Sequence, residues 1–290
     1  MPNQRRTQSQ IRTQDTRIAI VLPSRGLVYS KTVEELYEAL EGLDFKIFWS
    51  HGRPIPDCFE IPTEEALNDP TFTHLLVIEE DMIIPKDGIK NMLKADIHAI
   101  AYDYPVTGAK GGTVLYDTED TAYFTGCGIL LVKMEYIRMM KKPIWRTDIA
   151  WNMTHRPGYV EFNIEDRRKA DYGQQDIAFG LRFYINKMPI HVMKETTGQR
   201  KLEKRGDGFT NDGTHTIVEY TETERNSHIQ PKEINFRKVI LKNSQVIELY
   251  TSSAQKMVEA GEADWITIGR AEFNGIDKIK DWVYFDGSRA

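Results

Sequence analysis

The chain has 290 residues, 40% hydrophobic and 28% charged, with a formal charge of −5 and two cysteines. Such a composition belongs to a globular chain with room for one large domain, or for a large and a small one. It argues against a disulfide scaffold and against holding nucleic acid by bulk positive charge, leaving only local basic patches. Residues 1–16, rich in Gln, Arg and Thr, lack the apolar core of a signal peptide and read as a flexible tail. Arg17–Leu22 is a first buried strand, stopped by Pro23. Ser30 is placed to cap a helix with Val33, Leu36, Tyr37 and Leu40 on one face. Phe45–Trp49 is a second strand, Thr63–Leu67 starts a short helix, and Thr73–Ile78 is a third strand. A helix over Asp87–Lys94 and a strand over Ile97–Tyr102 complete a β-α-β-α-β alternation. That order predicts an α/β fold with a mainly parallel sheet covered on both faces.

After Tyr104 the texture changes. Thr113–Tyr116 and Thr121–Phe124 are short strands joined by an acidic turn, and Gly126-Cys127-Gly128 precedes the apolar Ile129–Val132 and a helix over Glu135–Met140. Lys141–Asp171 reads as a long irregular stretch carrying Trp145, Trp151 and His155, of a length that is usually functional or disordered. Helical spacing returns over Gly173–Tyr184, with Ile177, Ala178, Leu181 and Tyr184 on one face, and Pro189–Met193 is a last short strand. Lys194–Arg205 is basic and turn-rich. Beyond it, Val239–Leu241 and Val246–Tyr250 form a hairpin, Ser252–Ala260 a helix, and Trp265–Ile268 and Trp282–Phe285 two aromatic strands. The expected division is a tail over 1–16, a catalytic domain over 17–208 and a C-terminal extension over 209–290 holding a small α+β subdomain. No apolar run reaches the ~18 residues of a membrane span. Cys58 and Cys127 lack metal-ligand spacing and are expected to be reduced, in a cytoplasmic setting.

Chemistry concentrates at strand ends. Glu79-Glu80-Asp81 closes the apolar run Leu75–Ile78, where open α/β sheets place their ligands. Carboxylates that close raise one another's pKa unless a cation compensates, and a hard divalent ion completed by phosphate oxygens does so. Pro23-Ser24-Arg25-Gly26 offers backbone amides and a guanidinium to a nucleotide diphosphate, but lacks the P-loop and dinucleotide-binding patterns. Asp176 in the first turn of a helix is either an ordinary helix-end carboxylate or a general base. The seven histidines include no pair at the helical i, i+4 zinc spacing, and Gly-x-Ser-x-Gly is absent. Trp145 and Trp151 are either core residues or stacking platforms for a sugar or base.

Five segments in order resemble GT-A fold glycosyltransferases, in particular family 2-like enzymes of the bacterial and phage type. Thr73–Pro85 resembles their strand and DxD-type motif, with Glu79 replacing the first Asp. Ala95–Tyr102 resembles the next strand, Phe124–Val132 their Gly-x-Gly segment, Lys142–Trp145 their Pro-Trp element, and Tyr172–Phe179 the segment supplying the base. The resemblance implies a Rossmann-like mixed, mainly parallel sheet and a nucleotide-diphosphate sugar as donor. It implies Mn²⁺ or Mg²⁺ on Asp81, with Glu79 auxiliary and Glu80 a bystander, and Asp176 as the base of an inverting transfer. Pro23, Ser24, Arg25, Gly126, Gly128 and Arg200 would contact the donor, the basic segment up to Arg205 would close as a lid, and Trp145 and Trp151 would meet the acceptor. Two departures stand out. Gln175 replaces the Glu of the family's Glu-Asp pair, and Gly198-Gln199 lies where some relatives place a metal-binding His, leaving His191 or His215 as the alternative ligand. The acceptor stays open between a saccharide, a protein and a modified DNA base. The competing readings are a nucleotidyltransferase of similar fold, against which the short Pro23–Gly26 loop counts, and a non-catalytic sugar- or nucleic-acid-binding module.

Overall fold

The structure, a computed structural model, describes residues 16–105, 112–156, 159–166, 174–204, 215–221, 236–268 and 270–287. Residues 1–15 of the expected tail, the boundary at 208/209 and Arg205 lie outside the described residues. In chain order the elements are β1 (Arg17–Ser24), α1 (Ser30–Ala39), β2 (Asp44–His51), α2 (Asp57–Leu67), β3 (His74–Ile78), β4 (Met82–Ile83), α3 (Gly88–Ala95) and β5 (Ala99–Ala101). There follow β6 (Leu115–Tyr116), β7 (Thr121–Phe124), β8 (Ile129–Lys133), α4 (Met134–Met139), β9 (Ile149–Arg156), β10 (Tyr159–Asp166), α5 (Gln175–Ile185), β11 (Ile190–Val192) and β12 (Gly198–Lys204). The chain ends with β13 (His215–Tyr220), β14 (Phe236–Leu241), β15 (Val246–Tyr250), α6 (Thr251–Glu259), β16 (Ala263–Trp265), β17 (Thr267–Ile268), β18 (Ala271–Asn274) and α7 (Lys280–Val283).

An eight-stranded sheet in the order β2-β1-β3-β8-β5-β11-β7-β6 forms the centre. It is mixed. β8 runs antiparallel to both its neighbours and β7 opposes β11, while the other strands share one direction. Strand alternation divides the core in two. Ala19, Val21, Leu75, Val77, Leu130 and Val132 face Phe59 of α2, Trp145 and Phe179. Ile18, Ile20, Leu22, Leu76, Ile78 and Leu131 face Leu36 of α1 and Met92 of α3. Both faces are therefore covered, which is why these strands are continuous apolar runs.

Several expectations change. β1 continues through Pro23 and Ser24, because pairing with β3 stops at Val21 and Pro23 needs a partner only in β2. Tyr37 is exposed, and the helix interior side of α1 is set by Thr32, Leu36 and Ala39. Within Lys141–Asp171 the irregular reading gives way to β9 and β10, which form an antiparallel pair from Ile149↔Asp166 to Arg156↔Tyr159. β10 also pairs with β18, making the sheet β17-β18-β10-β9. The turn-rich reading of Lys194–Arg205 gives way to β12, which joins β13 and β4. Trp282 lies in the short helix α7 instead of a strand. The expected β14–β15 hairpin is present and packs with α6 and β16 around Val239, Ala254 and Ala263.

Helix α5 sits between two cores. Phe179 and Phe183 enter the core beneath the large sheet, and Ala178, Leu181 and Tyr184 enter that beneath β10 and β18. A helix apolar on opposite sides is a buried one, and Gly180 lets it approach closely, since a Cβ there would stand 2.6 Å from the Phe124 Cα.

Candidate active site

Because β8 runs against β3, its beginning lies beside the end of β3, and the Glu79 N–H donates to the Gly128 carbonyl at 3.0 Å. Gly126 and Gly128 hold this junction by size. A Cβ on Gly126 would come within 2.5 Å of the Tyr104 hydroxyl, and one on Gly128 within 2.6 Å of Met82 Sδ and the Tyr104 ring. These glycines form the floor against which Tyr104 packs, and the Gly128 N–H donates to the Tyr104 hydroxyl at 3.0 Å.

The acidic triplet divides into three environments. Glu80 is not a bystander. Its Oε1 accepts from Arg25 Nε at 2.6 Å and its Oε2 from the Arg25 backbone N–H at 2.8 Å, fixing the loop after β1. Asp81 is buried, and its Oδ2 accepts from Gln199 Nε2 at 2.8 Å. Glu79 is pushed up to about 8 by burial first, then by the charges of Asp81 and Asp176. Burial likewise raises Asp81 and Asp176 above the usual carboxylate range. Asp176 stands in the first turn of α5, accepting its neighbour Ile177's N–H at 2.9 Å. Gln174, just before it, is held in the left-handed region at φ 70°.

A cavity of about 270 Å³ opens beside these groups, lined by Pro23, Ser24, Arg25, Glu79 and Asp81 from the expected set and by Glu80. It is also lined by Arg53, Ile55, Cys58, Phe59 and Gln199, which sequence reasoning missed. Arg53 follows β2, whose last residue His51 is in register with Ser24, so topology alone brings it to the site. Only pairing of β12 with β4, Gln199↔Met82, could have disclosed Gln199. Ser24 Oγ accepts from the Gly26 N–H and donates to the Leu27 carbonyl, shaping the loop. Burial pushes the Cys58 thiol up to about 11, and both cysteines are unpaired and buried.

Five expected contacts are corrected. The Arg200 side chain is fully buried, and donates to Glu35 at 2.5 Å, to Glu219 at 3.1 Å and to the Met82 carbonyl at 2.8 Å, so it braces β12 instead of meeting a diphosphate. Its backbone N–H donates to the Asp81 carbonyl at 2.7 Å, locking the strand that carries Gln199. Trp145 is 0% exposed, stacked 4.3 Å from Phe179, with Nε1 on Thr63. Trp151 is 2% exposed, so neither indole presents a face to an acceptor. His191 lies 5.8 Å from His98, which precedes β5 and therefore sits at the opposite sheet edge from the acidic triplet. His215 pairs with Lys204, five positions along β12 from Gln199, or roughly 16 Å of strand. Among the described residues no three His, Cys, Asp or Glu side chains converge as a metal cage. The donor set instead fits an ion held by one or two carboxylates and completed by phosphate oxygens.

No family model and no curated protein matches the chain. Among solved structures the chain is similar to A197 from STIV, at 15% identity, covering 76% of this chain and 98% of that one, with a TM-score of 0.45. Likeness of that degree assigns neither family nor activity, and the site rests on its own geometry. Among the described residues no helix is long and apolar enough to cross a membrane.

Proposed function

We propose that the chain is a metal-dependent, inverting glycosyltransferase that moves a sugar from a nucleotide-diphosphate sugar to an acceptor hydroxyl. The observation that carries this reading is the pair Glu79 and Asp81 on the wall of a cavity that also includes Arg25 and Arg53, with Asp176 near enough for its charge to raise Glu79. Three carboxylates on one wall outnumber the single guanidinium paired with Glu80, which favours a bound cation, and guanidinium groups at the mouth favour phosphate. Asp81 is the ligand for Mn²⁺ or Mg²⁺, with Glu79 auxiliary; the ion's chemistry is Lewis-acid neutralisation of the leaving diphosphate. Arg25, fixed through its Nε by Glu80, turns its remaining N–H groups to the phosphates. Asp176 takes the proton of the acceptor hydroxyl while that oxygen bonds to the anomeric carbon and the bond to the diphosphate breaks on the opposite side, inverting configuration.

Thermal shift and donor hydrolysis, run across a panel of nucleotide sugars with and without Mn²⁺, test this. A true donor raises the melting temperature only with metal present, and silence across the whole panel sinks the proposal. Asp81→Ala is expected to abolish metal-dependent donor binding. Asp176→Asn is expected to spare binding and lower transfer by on the order of 10²–10⁴-fold.

A further inference from the structure

The hairpin β9–β10 has one face directed at the molecule's interior and leaves half of it uncovered. On β10 that face carries Val160, Phe162 and Ile164, each 3% exposed or less. Their partners on β9 are His155, Met153 and Trp151 in register. Trp151 is buried, yet Met153 is 40% exposed and His155 is exposed as well. Two side chains on a core-directed face are open because a cavity of about 370 Å³ lies against them, closed on its far side by Thr113, Val114, Leu115 and Phe124. That volume falls within the range of small-molecule sites, about 300–1,000 Å³.

The cavity's position ties it to the acidic cluster. Thr113 packs directly on Gly126, whose N–H donates to the Thr113 carbonyl at 3.1 Å. Phe124 lies against Gly180 of α5, and the Trp151 N–H donates to Gln174 Oε1, one turn from Asp176, at 3.2 Å. Thr113 and Phe124 of this cavity's wall thus reach the glycine junction beside the acidic triplet and the helix α5 that carries Asp176. On that wall Thr113 Oγ1 is a buried atom with no hydrogen-bond partner among the described residues, and a buried orphan calls for a bound polar group.

Resting on the glycosyltransferase reading, we propose that this cavity is the acceptor subsite and that the acceptor is a neutral saccharide. Among the described residues no Asp, Glu, Lys or Arg lines it, so this part of the wall offers a phosphate no charge pairing. A sugar ring instead sets its C–H face on Phe124, Leu115 and Met153 and its hydroxyls on Thr113 Oγ1 and His155.

Saturation-transfer NMR and calorimetry on the full chain test this with methyl glycosides of glucose, galactose, mannose and N-acetylglucosamine, against a single-stranded oligonucleotide and a Ser/Thr-rich peptide. Met153 and His155 are exposed, so Met153→Arg and His155→Ala threaten folding little. At least one glycoside is expected to bind, weakened at least about tenfold by Met153→Arg and less by His155→Ala, while the nucleotide-sugar thermal shift persists in both. Glycoside binding that ignores both variants, binding of the oligonucleotide or peptide alone, or donor binding with no glycoside binding each overturns the subsite. Glycoside binding lost in Met153→Arg with no nucleotide-sugar response in the parent chain would leave the saccharide pocket standing and sink the transferase reading.

Discussion

Glu79 shows how a ligand site is held against stability. Its carboxyl is raised from the ordinary 4.5 to about 8, so between those values the folded state binds more protons than the unfolded one. Stability therefore falls as pH rises through that window. Replacing it by an uncharged isostere removes the penalty: Glu79→Gln is expected to stabilise the metal-free protein at pH 8 by on the order of 2 kcal/mol, read by urea denaturation, and to show little difference from the parent at pH 4.5. His74 works in the opposite sense. Burial lowers its imidazole from 6.5 to about 4, so the neutral ring's contribution is complete above pH 6.5 and is lost as pH falls towards 4. His74→Gln is expected to flatten the stability profile between those pH values, a change that denaturation midpoints at pH 7 and pH 5 detect.

At the scale of elements, the junction of β3 with β8 is the critical contact. Gly128→Ala would drive a methyl into Met82 Sδ and Tyr104 at 2.6 Å, and is expected to cost about 1–3 kcal/mol and to weaken donor binding by displacing Glu79, as calorimetry would register. Much of this layer was legible beforehand. The runs Ile18–Leu22 and Leu75–Ile78 are apolar because they are buried on both faces, and a strand of that kind needs no partner information to be seen. Asp81, Glu79 and Asp176 stand out in the sequence for the same reason, being charges attached to recognisable element ends. The β9–β10 hairpin was missed although Val160, Phe162 and Ile164 alternate with Glu161, Asn163 and Glu165, a period-2 signal obscured by dense charge and by exposed polar residues in β9. Arg200 was misplaced on the surface because charge alone implied solvent, whereas Glu35 and Glu219 come from elements far away in the chain and make burial tolerable. Pairings between distant segments leave no local trace, and Gln199 and Arg53 fall in the same class.

At the scale of the whole molecule, the C-terminal residues belong to the central core. Phe285 packs with Phe183, Trp282 Nε1 donates to the Pro143 carbonyl at 2.7 Å, and Asn186 is hydrogen-bonded to both Val283 and Phe285. The guanidinium of Arg182, buried in α5, lies 4.3 Å over the Trp282 ring. A chain ending at Ile279 is expected to lose cooperative unfolding altogether, visible as the loss of a single calorimetric transition, since it would expose an apolar seam and an uncovered cation together. The edge strand β2 has a different use. Of the chain's five tryptophans, Trp49 is the one exposed, at 41%, stacked at 5.6 Å on His51, two residues before the cavity's Arg53. It is consequently an exposed native fluorophore on the strand that leads to Arg53, and its accessibility to a soluble quencher gives an optical report on that strand without label or substitution.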